Sequence, residues 1–142
     1  MQDTRWKQRY MSYSKILGLL YDNLLSKSPN DYSELEQIGL AKSFELCFEL
    51  MWKLLKDYLE YENVEIGLIS PKNILKSAAS KGLLQLIDAD GDVLINAHIT
   101  RNGLVHVYDQ AVFYQALMDV KELYLPEMLK VKIYFEGLIS NG

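Results

Sequence analysis

One thirty-one-residue stretch constrains this chain more than any other. From Tyr32 to Glu62 there is no proline, and apolar side chains return every three or four residues. Leu35, Ile38, Ala41, Phe44, Phe48, Met51, Leu55, Tyr58 and Leu59 describe one inward stripe of a long helix, and Leu40, Leu46, Trp52 and Leu54 widen it. A helix apolar over so much of its circumference is central or contacts a partner. Asp31 followed by Glu34 reads as the capping box that starts it. Gly39 inside it costs about 1 kcal/mol against alanine, which suggests close approach of a neighbouring helix.

The same periodicity gives a first helix from about Thr4 to Leu25, with Trp6, Tyr10, Tyr13, Ile16, Leu17, Leu20 and Leu24 inward. Ser70-Pro71 places an N-cap before a proline and opens a short helix that Gly82 closes. A fourth helix is expected from about Asp92 to the His106 region. Asp109 caps a fifth, which Pro126 kinks or interrupts before Met128 to Leu138 continues. Val64 to Ile69 is the one strand-like run, and it has no partner strand. The expected architecture is all-α, a four-helix up-and-down bundle with one additional short helix, formed by residues 1–142 as a single domain.

The bulk numbers narrow the function. A net charge of −4 argues against a sequence-wide electrostatic grip on nucleic acid, so chemistry on nucleotides needs a local cluster of cations. Cys47, the one cysteine, excludes an internal disulfide and is expected to be a buried, inert thiol. The N-terminal residues do not read as a signal peptide, and no run approaches the ~20 apolar residues of a membrane span, so a cytoplasmic location is expected.

Few residues carry chemistry. Asp88-x-Asp90-Gly91-Asp92 has neither the glycine nor the glutamate that an EF-hand loop places after its acidic residues, and it reads as a solvated turn. His98 and His106 have no third ligand near them; neither a metal site nor a cofactor is expected.

The segment Arg101-Asn102-Gly103-Leu104-Val105-His106-Val107-Tyr108 stands apart. Arginine is a permanent forked cation suited to phosphate. Histidine can exchange protons near neutrality, and Tyr108 offers a ring and a modifiable hydroxyl. On a continuous helix Arg101 and Tyr108 would lie within about 20° of each other, and Asn102 and His106 within about 40°. Spacing alone leaves a surface arginine and a satisfied interface histidine as the alternative. On the second helix, Glu45 and Glu49 are candidates to orient Arg101 across the bundle, the alternative being a solvated charged strip with Lys53 and Lys56.

These residues carry a resemblance. Arg101-x4-His106-x-Tyr108 matches the signature of HEPN proteins. Arg5-Trp6-x-Gln8-Arg9-Tyr10, the run Phe44-Glu45-Leu46-x-Phe48-Glu49-x-x-Trp52-Lys53-x-x-Lys56-Asp57-Tyr58, and Ser70-Pro71 through Gly82-Leu83 resemble the nucleotidyltransferase substrate-binding proteins of that superfamily. The likeness covers nearly the whole chain in order. It departs at Ser43, where the family often has arginine, and at Leu94, where it usually has tryptophan.

The resemblance implies a dimer that presents a nucleotide or other substrate to a small, separately encoded nucleotidyltransferase, with Arg101, Asn102, His106 and Tyr108 contacting it. It also implies two alternatives. In a metal-independent ribonuclease toxin of a toxin–antitoxin pair, Arg101 would steady phosphate, His106 would move the proton, and nucleotidylation of Tyr108 would silence the enzyme. A non-catalytic helical interaction module is the other.

Overall fold

A computed structural model describes residues 2–141, with side chains from Thr4 onward. Met1 and Gly142, the ends of the segment assigned to the bundle, lie outside the described residues. The fold is all-α. Helix α1 spans Gln2–Ser26, α2 Glu34–Tyr61, α3 Pro71–Ser80, α4 Leu83–Ile87, α5 Gly91–Gly103, α6 Gln110–Asp119 and α7 Leu125–Asn141. A 3-10 turn, Pro29–Asp31, precedes α2, and a π-turn, Val120–Tyr124, joins α6 to α7. Two short helices, α3 and α4, therefore accompany the long ones, where the sequence suggested one. Residues 64–69 form no strand.

Helix α2 is capped two residues later than Asp31 and Glu34 suggested. Ser33 Oγ accepts from the Glu36 N–H at 3.1 Å, and the Ser33 N–H donates to Glu36 Oε1 at 2.8 Å. Asp31 is taken up by the 3-10 turn. The buried face of α2 begins at Leu40 and runs through Phe44, Phe48, Met51 and Leu55 to Leu59. Leu35, Ile38 and Leu46 are exposed instead. At about 100° per residue Leu35 and Leu46 fall roughly opposite Phe44, so they cannot share its face. Gly39 has no neighbour within reach of an added Cβ, so close helix approach does not explain it.

The first apolar stripe lies as expected, with Trp6, Tyr10, Tyr13, Leu17, Leu20 and Leu24 buried where α1 packs along α2. Tyr13 Oη, fully enclosed, donates to the Met128 carbonyl at 2.6 Å and ties α1 to α7. Trp6, Tyr58 and Phe135 form an aromatic cluster with ring centroids 5.2 to 5.6 Å apart, in which Tyr58 meets both partners edge-to-face and Trp6 and Phe135 are tilted at 52°. Cys47 is buried, and burial pushes its thiol pKa up, so it keeps its proton.

The other capping signals act where they were read. Ser70 Oγ accepts from Asn73 N–H, Pro71 starts α3, and Gly82 takes a φ of 84° that ends it. The chain restarts at once in the five-residue α4. Asp90, in the acidic turn, caps α5 through Oδ1, which accepts from the Asp92 and Val93 N–H groups. Its own N–H donates to Glu127 Oε1 of α7 at 2.7 Å.

Pro126 acts one turn upstream of its own position. It lacks an N–H and its ring crowds the carbonyl four residues back. The backbone widens there into the π-turn, in which the Leu125 N–H reaches the Val120 carbonyl five residues earlier. The helical run therefore continues past the proline rather than stopping.

Candidate functional site

Three elements position the residues singled out by the sequence. Phe48, wholly buried on α2, is a platform between two side chains of α5. The His98 ring stacks on it at 5.7 Å with an interplanar angle of 16°, and Arg101 Cζ lies 5.8 Å from its centroid. Residues 98 and 101 are one helical turn apart, so one aromatic face can hold both.

Arg101 reaches from α5 to α2, where its Nη1 is 3.4 Å from Glu49 Oε2. Glu49 is held in turn by Trp52 Nε1 at 3.1 Å and by Lys53 Nζ at 3.0 Å. Partial burial raises the Glu49 pKa, but hydrogen bonds from Lys53 and Trp52 and the Lys53 and Arg101 charges outweigh this and hold it below its ordinary value. Both partners are about a third exposed, so the pair adds under about 1 kcal/mol to stability. Its effect is orientation of the guanidinium. Glu45 does not reach Arg101; it faces Lys42 Nζ at 3.7 Å.

Lys42, Glu45, Leu46 and Glu49 stand at i, i+3, i+4 and i+7 on α2, and with Arg101 they line an open groove of about 290 Å³. Lys42, Phe48 and His98 belong to this surroundings and were not singled out as site residues from sequence. The i, i+3, i+4, i+7 spacing of the α2 side chains was the available signal for Lys42.

The second half of the motif is elsewhere. The continuous helix expected from Asp92 through His106 ends at Gly103. The Leu104 N–H bonds the Arg101 carbonyl at 3.2 Å, tightening the last turn, and buried Leu104 anchors the exit. Two further turns follow, closed by His106 N–H to Gly103 O and Asp109 N–H to His106 O. Asp109 then caps α6, and α6 folds back onto α5. The helical angles predicted between Arg101 and Tyr108, and between Asn102 and His106, therefore do not apply.

Within the turn, His106 Nδ1 and Tyr108 Oη share a hydrogen bond of 2.7 Å, and the rings meet edge-to-face. Tyr108 is 80% exposed. Among the described residues no hydrogen bond joins the His106–Tyr108 pair to the Arg101–Glu49 pair. Asn102 is exposed on the last turn of α5, and its side chain has no hydrogen-bond partner among the described residues.

His98 has a buried Nδ1 without a hydrogen-bond partner. Desolvation lowers its pKa first, the Arg101 charge lowers it further, and Glu49 partly offsets both. His98 is therefore neutral at pH 7, and its contribution to stability is present above the ordinary histidine pKa and is lost as pH falls through the lowered one. In an NMR titration its midpoint is expected below 6.5; Glu49→Gln should lower the midpoint further, and Arg101→Ala should raise it. A midpoint at or above 6.5 in the wild type would contradict this environment.

No group of three or more His, Cys, Asp or Glu residues among the described residues is arranged to hold a metal ion. No helix among them is long and apolar enough to cross a membrane. A comparison with curated proteins finds no match. The profile of the family described as "nucleotidyltransferase substrate binding protein like" matches residues 8–135. That span takes in the Phe48 platform, the Arg101–Glu49 pair and the His106–Tyr108 turn, and the chain belongs to this family of nucleotidyltransferase substrate-binding-like proteins.

Proposed function

We propose that this protein is a nucleotide- or substrate-binding subunit that works with a separately encoded minimal nucleotidyltransferase, and that the groove beside Arg101 receives the ligand. The observation that carries the reading is the mixed lining of that groove, with Arg101 held in place by Glu49 and Phe48. Arg101 and Lys42 suit phosphate oxygens. Glu45 and Glu49 are acceptors for sugar hydroxyls or base amino groups, and Leu46 offers an apolar contact. Asn102, His106 and Tyr108 add hydrogen-bonding groups on the adjoining turn. Ile99 and Val112 line a separate groove between α5 and α6, and with exposed Val105 they give a second copy of the chain an apolar surface to cover.

The test is equilibrium titration with nucleoside triphosphates, together with co-expression with the nucleotidyltransferase. Arg101→Ala is expected to weaken nucleotide binding about tenfold, the loss of one charge-assisted contact, while the far-UV spectrum is kept. Absence of nucleotide binding and of a stable complex in the wild type would refute the reading.

A second reading is favoured by one contact, the 2.7 Å bond between His106 Nδ1 and an otherwise exposed Tyr108 hydroxyl. It makes the chain the toxin of a toxin–antitoxin pair, with Arg101 and His106 as ribonuclease residues and Tyr108 as acceptor of a nucleotidyl group from the partner. In that transfer Tyr108 Oη forms a bond to the α-phosphorus of a nucleoside triphosphate. The bond to pyrophosphate breaks, and the phenolic proton passes to His106. Mass spectrometry after incubation with partner and ATP should find the adduct on Tyr108 and none in Tyr108→Phe. An unmodified wild type that leaves RNA intact excludes this reading.

A further inference from the structure

Helix α1 carries a second polar stripe, separate from the groove at Arg101. Arg5, Gln8, Arg9 and Ser12 stand at i, i+3, i+4 and i+7, beside the buried stripe of Trp6, Tyr10 and Tyr13. With Leu50 of α2 they line a groove of about 180 Å³ that shares no lining residue with the one at Arg101.

The charges around this groove are built from the inside outward. Asp57 of α2 is a carboxylate whose side chain is entirely enclosed, and it accepts from Arg9 Nε at 3.0 Å and from Lys56 Nζ at 3.3 Å. Lys56 continues to Glu60 Oε1 at 3.2 Å, and Arg5 Nη1 approaches the same oxygen at 3.6 Å. Three cations thus face two carboxylates, a local positive surplus in a chain of net charge −4. Because Asp57 takes the Nε–H, the terminal nitrogens of Arg9 have no partner among the described residues, and the guanidinium plane is fixed by a buried anchor. The Gln8 amide and Ser12 hydroxyl likewise make no side-chain hydrogen bond among the described residues.

We propose that this groove binds the phosphoryl group of a small phosphate ester or polyphosphate. Its walls present donors from two guanidiniums, an amide and a hydroxyl, spread over two turns of one helix. A tetrahedral anion with several outward oxygens can engage donors from different sides, whereas a carboxylate is satisfied by one guanidinium fork. The pre-set plane of Arg9 lowers the ordering cost that a flexible surface arginine would carry. Arg5 is loosely held and more than half exposed, so it is free to swing from Glu60 onto the ligand.

Calorimetric titration of the whole chain with inorganic pyrophosphate, at fixed ionic strength, tests this. An Arg5→Ala/Gln8→Ala/Ser12→Ala variant leaves the Arg9–Asp57 pair intact and is expected to weaken pyrophosphate binding about tenfold or more. Arg101→Ala should leave that part of the binding unchanged, so failure here and failure of the reading at Arg101 are told apart. Acetate at equal concentration should not compete. Pyrophosphate binding by Arg101→Ala protein that the added triple substitution leaves unchanged, binding that disappears with Arg101→Ala alone, or binding that acetate displaces equally well would overturn the proposal.

Discussion

Phe48→Ala is expected to lower the unfolding free energy by about 3–5 kcal/mol, the range for removing a buried aromatic ring from a packed core. Phe48 is fully buried, packs 6.3 Å from Phe44, and supports both His98 and Arg101. Urea denaturation monitored by far-UV circular dichroism measures the loss directly. The substitution also has a consequence at the groove, since water entering the cavity would weaken the desolvation that lowers the His98 pKa. The His98 midpoint should therefore move up toward its ordinary value. Phe48→Leu keeps most of the volume and should cost markedly less. A cost under about 1 kcal/mol for Phe48→Ala would mean that the core can collapse around the missing ring, and that the platform is not rigid.

The second large effect is expected at Asp57. Arg9→Ala leaves an enclosed carboxylate with Lys56 as its only cation among the described residues, and breaking such a pair from one side costs about 3–5 kcal/mol when both partners are enclosed. Arg9 is about a third exposed, so the low end of that range applies. Removing both charges relieves the stranded carboxylate. The Arg9→Ala/Asp57→Ala double variant should therefore be more stable than Arg9→Ala alone, and the cycle isolates the coupling. Additive losses would show that Asp57 is satisfied without Arg9. The contrast with Glu49–Arg101 is one of burial. An arginine meets a carboxylate in both places, but only the Asp57 carboxylate has been taken out of water.

Much of the fold was legible because its determinants are local. The three-and-four spacing of Trp6, Tyr10, Tyr13 and Leu17 sets a buried helix face whatever packs on it. Ser70-Pro71, Gly82 and Asp109 stop or start helices through their own backbone and side-chain chemistry. Other features depended on choices between near neighbours. Asp31 with Glu34 and Ser33 with Glu36 both suit a capping box, and the chain uses the second because the 3-10 turn at Pro29–Asp31 takes up Asp31. Leu35 and Leu46 counted as core by type, but helical phase puts them on the outer side of α2.

The segment from Arg101 to Tyr108 divides the two sources of information most sharply. The sequence by itself determined the residue types, the helix that carries Arg101, and the resemblance to a substrate-binding family. Only the tertiary structure decided that the helix ends at Gly103, so that Arg101 turns to Glu49 and Phe48 while His106 turns to Tyr108. The reason is that α6 must fold back onto α5, and the chain can reverse only by leaving the helix between them. Pairings such as Arg101 with Glu49 or Arg9 with Asp57 join residues about fifty positions apart. No local rule of spacing fixes such contacts; the packing of α1 and α5 against α2 does.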